Sequence, residues 1–454
     1  MAEAAGRAPE VPVAPVGFVD SVLSDDEADR ILGHGRSPHV RRYQSAIVPP
    51  LAEAAVRLPA GDLAGEVEDA TAALVRLDGF MEGHAGGGQD GVAPMAAVLL
   101  RSESASSSQI EQLTVGSKQL ALAQLGARAS ANAVLVARNA DAMRRAIELA
   151  GRLDVASILD VHTALMRDRI ATAGRLRDGP AWIGPGGSTP ATADFVPPTA
   201  DRVPASMDDL CRFARRDDLP VLAQAAITHA HFESIHPFFD GNGRTGRALV
   251  QSMLRGKHVT RRVPAPVSAG LLADVPAYFA ALTAYRSGDA APIIRQFARA
   301  SFVAAAEARR VVGELTDLQT AWRDRLRLRS SSAAYRALPV IASQPAVDGA
   351  YIRTRLGVSG VTAREALARL QDAGILTTVS AGKRNRVWVA PEAIAIMDSL
   401  AQRIPRRADP IERAIREGRV TPAAATPPEW TTPQPAGRSA EDVDRLIADM
   451  KGDW

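Results

Sequence analysis

One cysteine, Cys211, stands in a chain of 454 residues. An internal disulfide framework is therefore excluded, and so is a metal site built on paired cysteines. Aromatic residues are only 4 % of the chain. The core must then be packed with Ala, Leu, Val and Ile, and such Ala-rich, Leu-rich sequence at helical spacing predicts a mainly helical protein. Lysine occurs only as Lys118, Lys257, Lys383 and Lys451. Nearly all positive charge is thus arginine, whose planar fork suits phosphate. Fifty-four basic against 51 acidic residues leave a net charge of +3, which is not the balance of a committed nucleic-acid binder. No apolar run approaches the roughly 18 residues needed to cross a bilayer, and the N-terminus lacks a basic segment followed by an apolar one. The expectation is a cytoplasmic protein with no membrane partner.

Several boundaries follow from composition. Residues 1–97 are expected to form a largely helical N-terminal extension, extended over 1–20 and with an acidic helix start at Ser24-Asp25-Asp26-Glu27. Five glycines between Gly83 and Gly91 predict a flexible connection. Residues 98–305 read as a helical core, interrupted near 174–200 by Gly and Pro. Alternation around Trp182 and Ile183 predicts a short hairpin or loop arm there. A linker helix is expected over 306–329. Three helices and a basic hairpin around Gly382-Lys383-Arg384-Asn385 then resemble a winged helix-turn-helix module over 330–395. Residues 396–454 carry Pro427, Pro428 and Pro433 and read as a partly disordered tail, with a short helix near 440–451.

The densest chemistry lies in His236-Pro237-Phe238-Phe239-Asp240-Gly241-Asn242-Gly243-Arg244-Thr245-Gly246-Arg247. A residue before proline is pushed out of the right-handed helical region, so a helix should end at His236. Apolar residues at Ala248, Leu249, Met253 and Leu254 predict a second helix after the glycine-rich loop. Helix, loop, helix suits a phosphate: glycines admit close approach, and the N–H groups of a helix start point at an anion. Arg244 and Arg247, three apart, share one face of the first turn. Asp240 would repel a bare phosphate and so predicts a bound Mg²⁺. His236 can take a proton from an attacking hydroxyl near neutral pH.

This segment resembles the signature of the Fic family, His-Pro-Phe-x-(Asp/Glu)-Gly-Asn-Gly-Arg-x-x-Arg, at every fixed position. The likeness extends over roughly residues 15–300, through Gly174-Arg175-Leu176-Arg177, Trp182-Ile183-Gly184 and Phe195-Val196-Pro197-Pro198. It implies a Fic-type helical bundle with a β-hairpin flap, followed by the winged helix. It implies transfer of AMP from ATP, with Mg²⁺ or Mn²⁺, to a Ser, Thr or Tyr hydroxyl of a target protein and of the enzyme itself. His236 would be the general base and Asp240 the metal ligand. Gly241, Asn242 and Gly243 would surround the phosphates, which Arg244 and Arg247 would hold. Arg175, Leu176, Arg177, Trp182, Ile183 and Gly184 would form the flap that clamps the target. Many members carry an inhibitory helix with Ser/Thr-x-x-x-Glu. Ser107 and Glu111 match it, within a helix expected near 104–120, and Glu111 would pair with Arg247. Gln112 departs from the Gly or Asn usual at the next position. Family habit also implies a homodimer.

Other readings compete. His229, His231, His236 and Glu233 could suggest a metal, but residues two apart on a helix point about 200° apart. His231 and Glu233 are better read as support for the loop from behind, and His162 as packed against the same core. The winged helix, with Arg364, Arg369, Lys383, Arg384 and Arg386, could bind DNA. Relatives with a similar loop transfer UMP, phosphocholine or phosphate, and some remove AMP again with a Glu that positions water, a part open to Glu111.

Overall fold

The computed structural model describes residues 9–24, 27, 42–84, 89–184, 189–379 and 386–407. The chain begins with a two-stranded antiparallel sheet, β1 (Gly17–Val22) and β2 (Arg42–Ile47), in which Gly17 faces Ile47 and Val22 faces Arg42. The N-terminal region is therefore not largely helical before residue 48. Alternating Tyr43, Ser45 and Ile47 carry a strand period. Asp25 and Asp26 lie outside the described residues, while Ser24 bonds Glu27 Oε2 through both its N–H and its hydroxyl at 2.8 Å.

Helices follow: α1 (Asp62–His84), α2 (Gln89–Ile110), α3 (Ser117–Gln124), α4 (Ala131–Glu148), α5 (Val155–Met166), α6 (Val203–Ala214), α7 (Val221–Ile235), α8 (Asn242–Gly256), α9 (Val267–Leu272), α10 (Val275–Arg286) and α11 (Ala291–Leu326). Gly83 and Gly91, expected in a flexible connection, sit in the ends of α1 and α2, and residues 85–88 between them lie outside the described part. The expected linker is no separate element. It continues the core helix, because α11 runs 36 residues with its only proline, Pro292, in the first turn, where no N–H is missed.

The middle of the core is α7. Every residue from Leu222 to Ile235 is buried, Gln224, Thr228, His229, His231, Glu233 and Ser234 included, so this helix is surrounded by other elements on all sides. Leu222, Ala226, Ile227 and Ala230 pack against Val250, Met253 and Leu254 of α8, Ile294 and Phe297 of α11, and Leu63 and Val67 of α1. The shortage of aromatics is met by alanine, which lets helices approach closely. Each buried Leu, Ile, Val, Met or Phe side chain contributes about 1.5–3 kcal/mol.

The expected flap hairpin is not a pair of strands. Ile183 and Phe195 form a single bridge and the rest is loop, with 185–188 outside the described residues. Pro180, Pro190, Pro197 and Pro198 deny the ladder its donors. Ala46 of β2 instead donates its N–H to Val196 O, which ties this loop to the N-terminal sheet.

After α11 come α12 (Ala333–Ser343), β3 (Ala346–Asp348), α13 (Gly349–Leu356), α14 (Gly360–Asp372), β4 (Thr377–Thr378) and β5 (Val387–Val389), with sheet order β3-β5-β4. Asp348 and Ser359 cap α13 and α14, and Gly357 takes a left-handed conformation between them. The hairpin tip at 380–385, with Lys383 and Arg384, lies outside the described residues. Residues 396–407 are not tail but part of a helix, α15 (Pro391–Arg407), whose Glu392 binds Trp322 Nε1 at 2.7 Å and Arg325 at 2.7 Å. The remaining tail, 408–454, is outside the description.

Candidate active site

His236 ends α7. Its φ of 49° and ψ of 63° put it in the left-handed region, and its N–H donates to Phe232 O. After the turn Pro237 is buried and Phe238 drops into the core, fully buried against Phe232 and Ile235, while Phe239 is exposed. Its ring stacks on His162, centroids 3.7 Å apart and 6° from parallel. His162 Nδ1 accepts the Gly174 N–H at 2.9 Å, so its Nε2 carries the proton and donates to Asp240 O at 3.0 Å. Burial first, against the pull of Asp240, lowers the His162 pKa to about 4.

Asn242 completes the loop from within. Its side chain accepts from Phe238 N at 2.9 Å and donates to Phe238 O at 2.8 Å. Both ends of that amide serve the loop, so the side chain is not free to contact a phosphate. Gly241 has φ 82°, and a Cβ there would lie 3.1 Å from Leu165 and Met166. The first-turn N–H groups of α8 have no carbonyl within the helix to bond.

Arg244 and Arg247 are both buried. Arg244 Nη2 reaches Asp240 Oδ1 at 3.2 Å, and its Nε has no partner. Arg247 Nε donates to Ser107 Oγ at 2.9 Å, and its Nη2 to Ser107 O at 2.7 Å and Glu111 Oε1 at 2.8 Å. Burial alone would lower the Arg247 pKa, but the Glu111 charge and hydrogen bond, with Tyr278 and Glu233, outweigh it and leave it raised. A Cβ on Gly243 would fall 2.1 Å from Glu111 Oε1. The Glu111 carboxylate thus lies against the start of α8, where a helix dipole favours an anion.

The helix bearing this carboxylate, α2, ends at Ile110, not near residue 120, and Glu111 stands one residue beyond it. Gln112, in the place of the usual Gly or Asn, has φ 62° and closes the turn in the left-handed region those residues favour. Behind it, Asn139 of α4 donates to Ser104 O at 2.9 Å and to Ser108 Oγ at 3.0 Å. Glu103 accepts from Ser268 Oγ, Ser268 N and Gln251. Burial, opposed by Ser268, pushes the Glu103 carboxyl up to about 7.

His236 Nδ1 lies 3.9 Å from Glu233 Oε2 and has no hydrogen-bond partner. Burial first, then Arg177 and Arg286, lowers the imidazole pKa to about 3, so it is neutral near physiological pH. Glu233 is buried and pushed up to about 7, by burial and then by Glu111. The imidazole opens on a cleft of about 410 Å³ lined also by Asp178, Pro180, Trp182 and Phe239.

Asp240 is half-exposed, and its two oxygens meet Arg244 and Arg169, each at 3.2 Å. Among the described residues no three His, Cys, Asp or Glu side chains gather to hold a metal. A single carboxylate fits Mg²⁺ that arrives on a polyphosphate, since Mg²⁺ is usually held by one or two carboxylates plus phosphate oxygens. His229 and His231 are no ligand set: they bond Tyr278 OH at 2.7 Å and Tyr285 OH at 2.8 Å.

The flap residues divide. Trp182 lines the cleft and Ile183 makes the bridge to Phe195. Gly184 and Arg175 are exposed, while Leu176 packs on the cluster around Phe238. Arg177, expected to face a target, is buried and turned inward.

The Fic/DOC family model matches residues 152–254, the span from α5 to the end of α8. Residues 152–254 carry a Fic/DOC domain. It is similar to the probable protein adenylyltransferase aq_aa38 of Aquifex aeolicus (strain VF5), with 40% identity over 63 residues, 14% of this chain and 20% of that protein. It is also similar to the protein adenylyltransferase fic-1 of Caenorhabditis elegans, with 26% identity over 154 residues, 33% of this chain and 27% of that protein. The Fic chain thus spans a fifth to about a quarter of the length of these curated relatives. A crystal structure of a Fic family protein from Desulfovibrio desulfuricans G20 is similar at 23% identity and a TM-score of 0.48, covering 74% of this chain and 98% of that one.

Proposed function

We propose that this Fic protein transfers AMP from ATP, taken with Mg²⁺ or Mn²⁺, to a Ser, Thr or Tyr hydroxyl of a protein, itself included, and that Glu111 restrains the reaction. One observation carries the reading. A carboxylate of the protein's own, Glu111 Oε1, sits 2.8 Å from a buried arginine at the start of α8, beside a neutral and unpartnered imidazole. A helix start, Arg244 and Arg247 make a cradle for polyphosphate. The adenylyltransferase names of the relatives point the same way.

His236 takes the hydroxyl proton as the oxygen attacks the α-phosphorus. The bond to the bridging oxygen breaks, and pyrophosphate leaves. First-turn N–H groups, with Arg244, hold charge on the phosphates, and Arg247 takes the γ-phosphate once Glu111 withdraws. Asp240 would hold the metal ion, which supplies further charge neutralisation on the phosphates. Hydrogen bonds to a charged group are each worth about 1.5–3 kcal/mol, so Glu111 competes on the same scale as a phosphate oxygen.

The test uses the Glu111→Gly protein with ATP labelled at either the α- or the γ-phosphate. Protein label from the α position alone, lost on chelation of the divalent ion, supports AMP transfer. Label from the γ position would make it a kinase, and label only from UTP or GTP would change the donor.

A second reading concerns the C-terminal module. Arg364 and Arg369 are exposed on α14, which suits contacts with the phosphates of duplex DNA. Affinity that falls steeply with salt supports it, and no binding at low salt removes it.

A further inference from the structure

We infer that Arg177 is a positioning residue for the base: one guanidinium ties both ends of the flap segment to the end of the helix that carries His236. The inference rests on the transfer reading above and concerns how a hydroxyl is brought to the imidazole.

Arginine is seldom fully buried without a carboxylate. Arg177 is only 3 % exposed, and its hydrogen-bond partners among the described residues are all carbonyl oxygens. Nε donates to His236 O at 2.8 Å, Nη1 to Gly179 O at 3.0 Å, and Nη2 to Ile235 O at 3.4 Å and to Pro198 O. Its own backbone N–H donates to Pro237 O at 2.9 Å.

These partners come from three places. Ile235 and His236 are the last residues of α7, whose carbonyls carry the negative end of the helix dipole and offset the cost of burying the charge. Gly179 lies before the Ile183–Phe195 bridge and Pro198 after it. A target strand laid on the flap is therefore registered to His236 through one side chain. An apolar residue of similar size could fill the space but would leave four carbonyls without donors.

The charge has a second consequence. His236 faces Arg177 from the flap, Arg286 from α10, Glu233 from α7 and Asp240 from the loop. Arg286 is itself held over the Phe195 ring at 3.9 Å. The two guanidinium groups disfavour an imidazolium between them and keep the base able to accept a proton.

The experiment compares Arg177→Gln and Arg177→Lys in the Glu111→Gly protein. The His236 imidazole is followed by NMR titration with labelled histidine, assigned with His236→Ala. Arg177→Gln is expected to move the onset of protonation upward by about one unit, while Arg177→Lys leaves it in place. Both should slow transfer by about 100-fold, the cost of a small misplacement of reacting groups, with ATP affinity by calorimetry unchanged. An unmoved titration in Arg177→Gln, or ATP affinity falling in step with the rate, overturns the inference. Where Arg177→Gln does not fold, unimpaired transfer by Arg177→Lys overturns it equally. If the Glu111→Gly parent transfers nothing, the transfer reading fails, and the titration still decides whether Arg177 acts on His236.

Discussion

Glu111 and Arg247 stand 136 residues apart in sequence and 2.8 Å apart in space, and the same carboxylate oxygen would lie 2.1 Å from a Cβ on Gly243. Any side chain at 243 would expel it, so the glycine is what admits the Glu111 carboxylate. Because Glu111 takes the arginine assigned to the γ-phosphate, its removal should act on ATP more than on AMP. Calorimetry on Glu111→Gly should give ATP binding tighter by about 10-fold, one charged hydrogen bond's worth, with AMP binding little changed.

Gln112 closes the turn after α2 with φ 62°. A β-branched residue in the left-handed region is a true outlier. Gln112→Val is expected to cost about 1–2 kcal/mol, read as a lower Tm, and to raise transfer by loosening Glu111. Gln112→Gly relieves strain but loosens the unfolded chain, so its Tm should stay close to that of the parent.

Arg101 anchors α2 to the C-terminal module. It is buried in α2 and donates to Ser343 O at 2.6 Å, Gln344 Oε1 at 2.5 Å and Gln124 Oε1 at 2.7 Å, while burial lowers its pKa to about 10. Arg101→Met leaves these acceptors without donors, at about 1–3 kcal/mol. Hydrogen exchange over 104–111 should speed up and transfer should rise. Unchanged exchange there would show that the module does not steady the helix.

The pH dependence of stability has opposing parts. His162, His229, His231 and His236 have pKa values lowered by burial to about 3–4. Their contribution is complete above the unfolded value near 6.5 and is lost as pH falls toward those values. Glu103 and Glu233 are raised to about 7. Their contribution is complete below about 4.5 and is lost as pH rises through about 7. Four histidines outweigh two glutamates, so Tm should fall on acidification from pH 6.5 to 4.5. Glu103→Gln should stabilise more at pH 8 than at pH 5, as thermal scans at the two values would show.

The part of the site that is local in sequence was legible. From His236 to Arg247 a proline, three glycines and an arginine pair fix a helix end, a loop and a helix start, and those elements stand there. Ser107 and Glu111 could be set on one face by spacing, but their meeting with Arg247 is a long-range contact that only the family likeness suggested. The flap misled because Trp182 and Ile183 alternate as a strand does, while the surrounding prolines forbid pairing. The linker misled because a change in composition after residue 305 is not a change in conformation, and α11 passes straight through. Arg177 was placed in the flap but facing a target, and Glu103 and Asn139 gave no signal, since burial of a polar side chain depends on partners that distant segments supply. Asn242 was expected around the phosphates, and its side-chain carbonyl and N–H instead bond the Phe238 backbone.

The account rests most heavily on His236 as base and Glu111 as brake. Its most direct test is transfer of label from α-phosphate-labelled ATP to protein by the wild type, Glu111→Gly, and Glu111→Gly with His236→Ala. The account predicts little label on the wild type, strong label on Glu111→Gly, and loss of that label in the double variant with ATP still bound. Equal labelling of wild type and Glu111→Gly would contradict the brake, and undiminished labelling of the double variant would contradict the base.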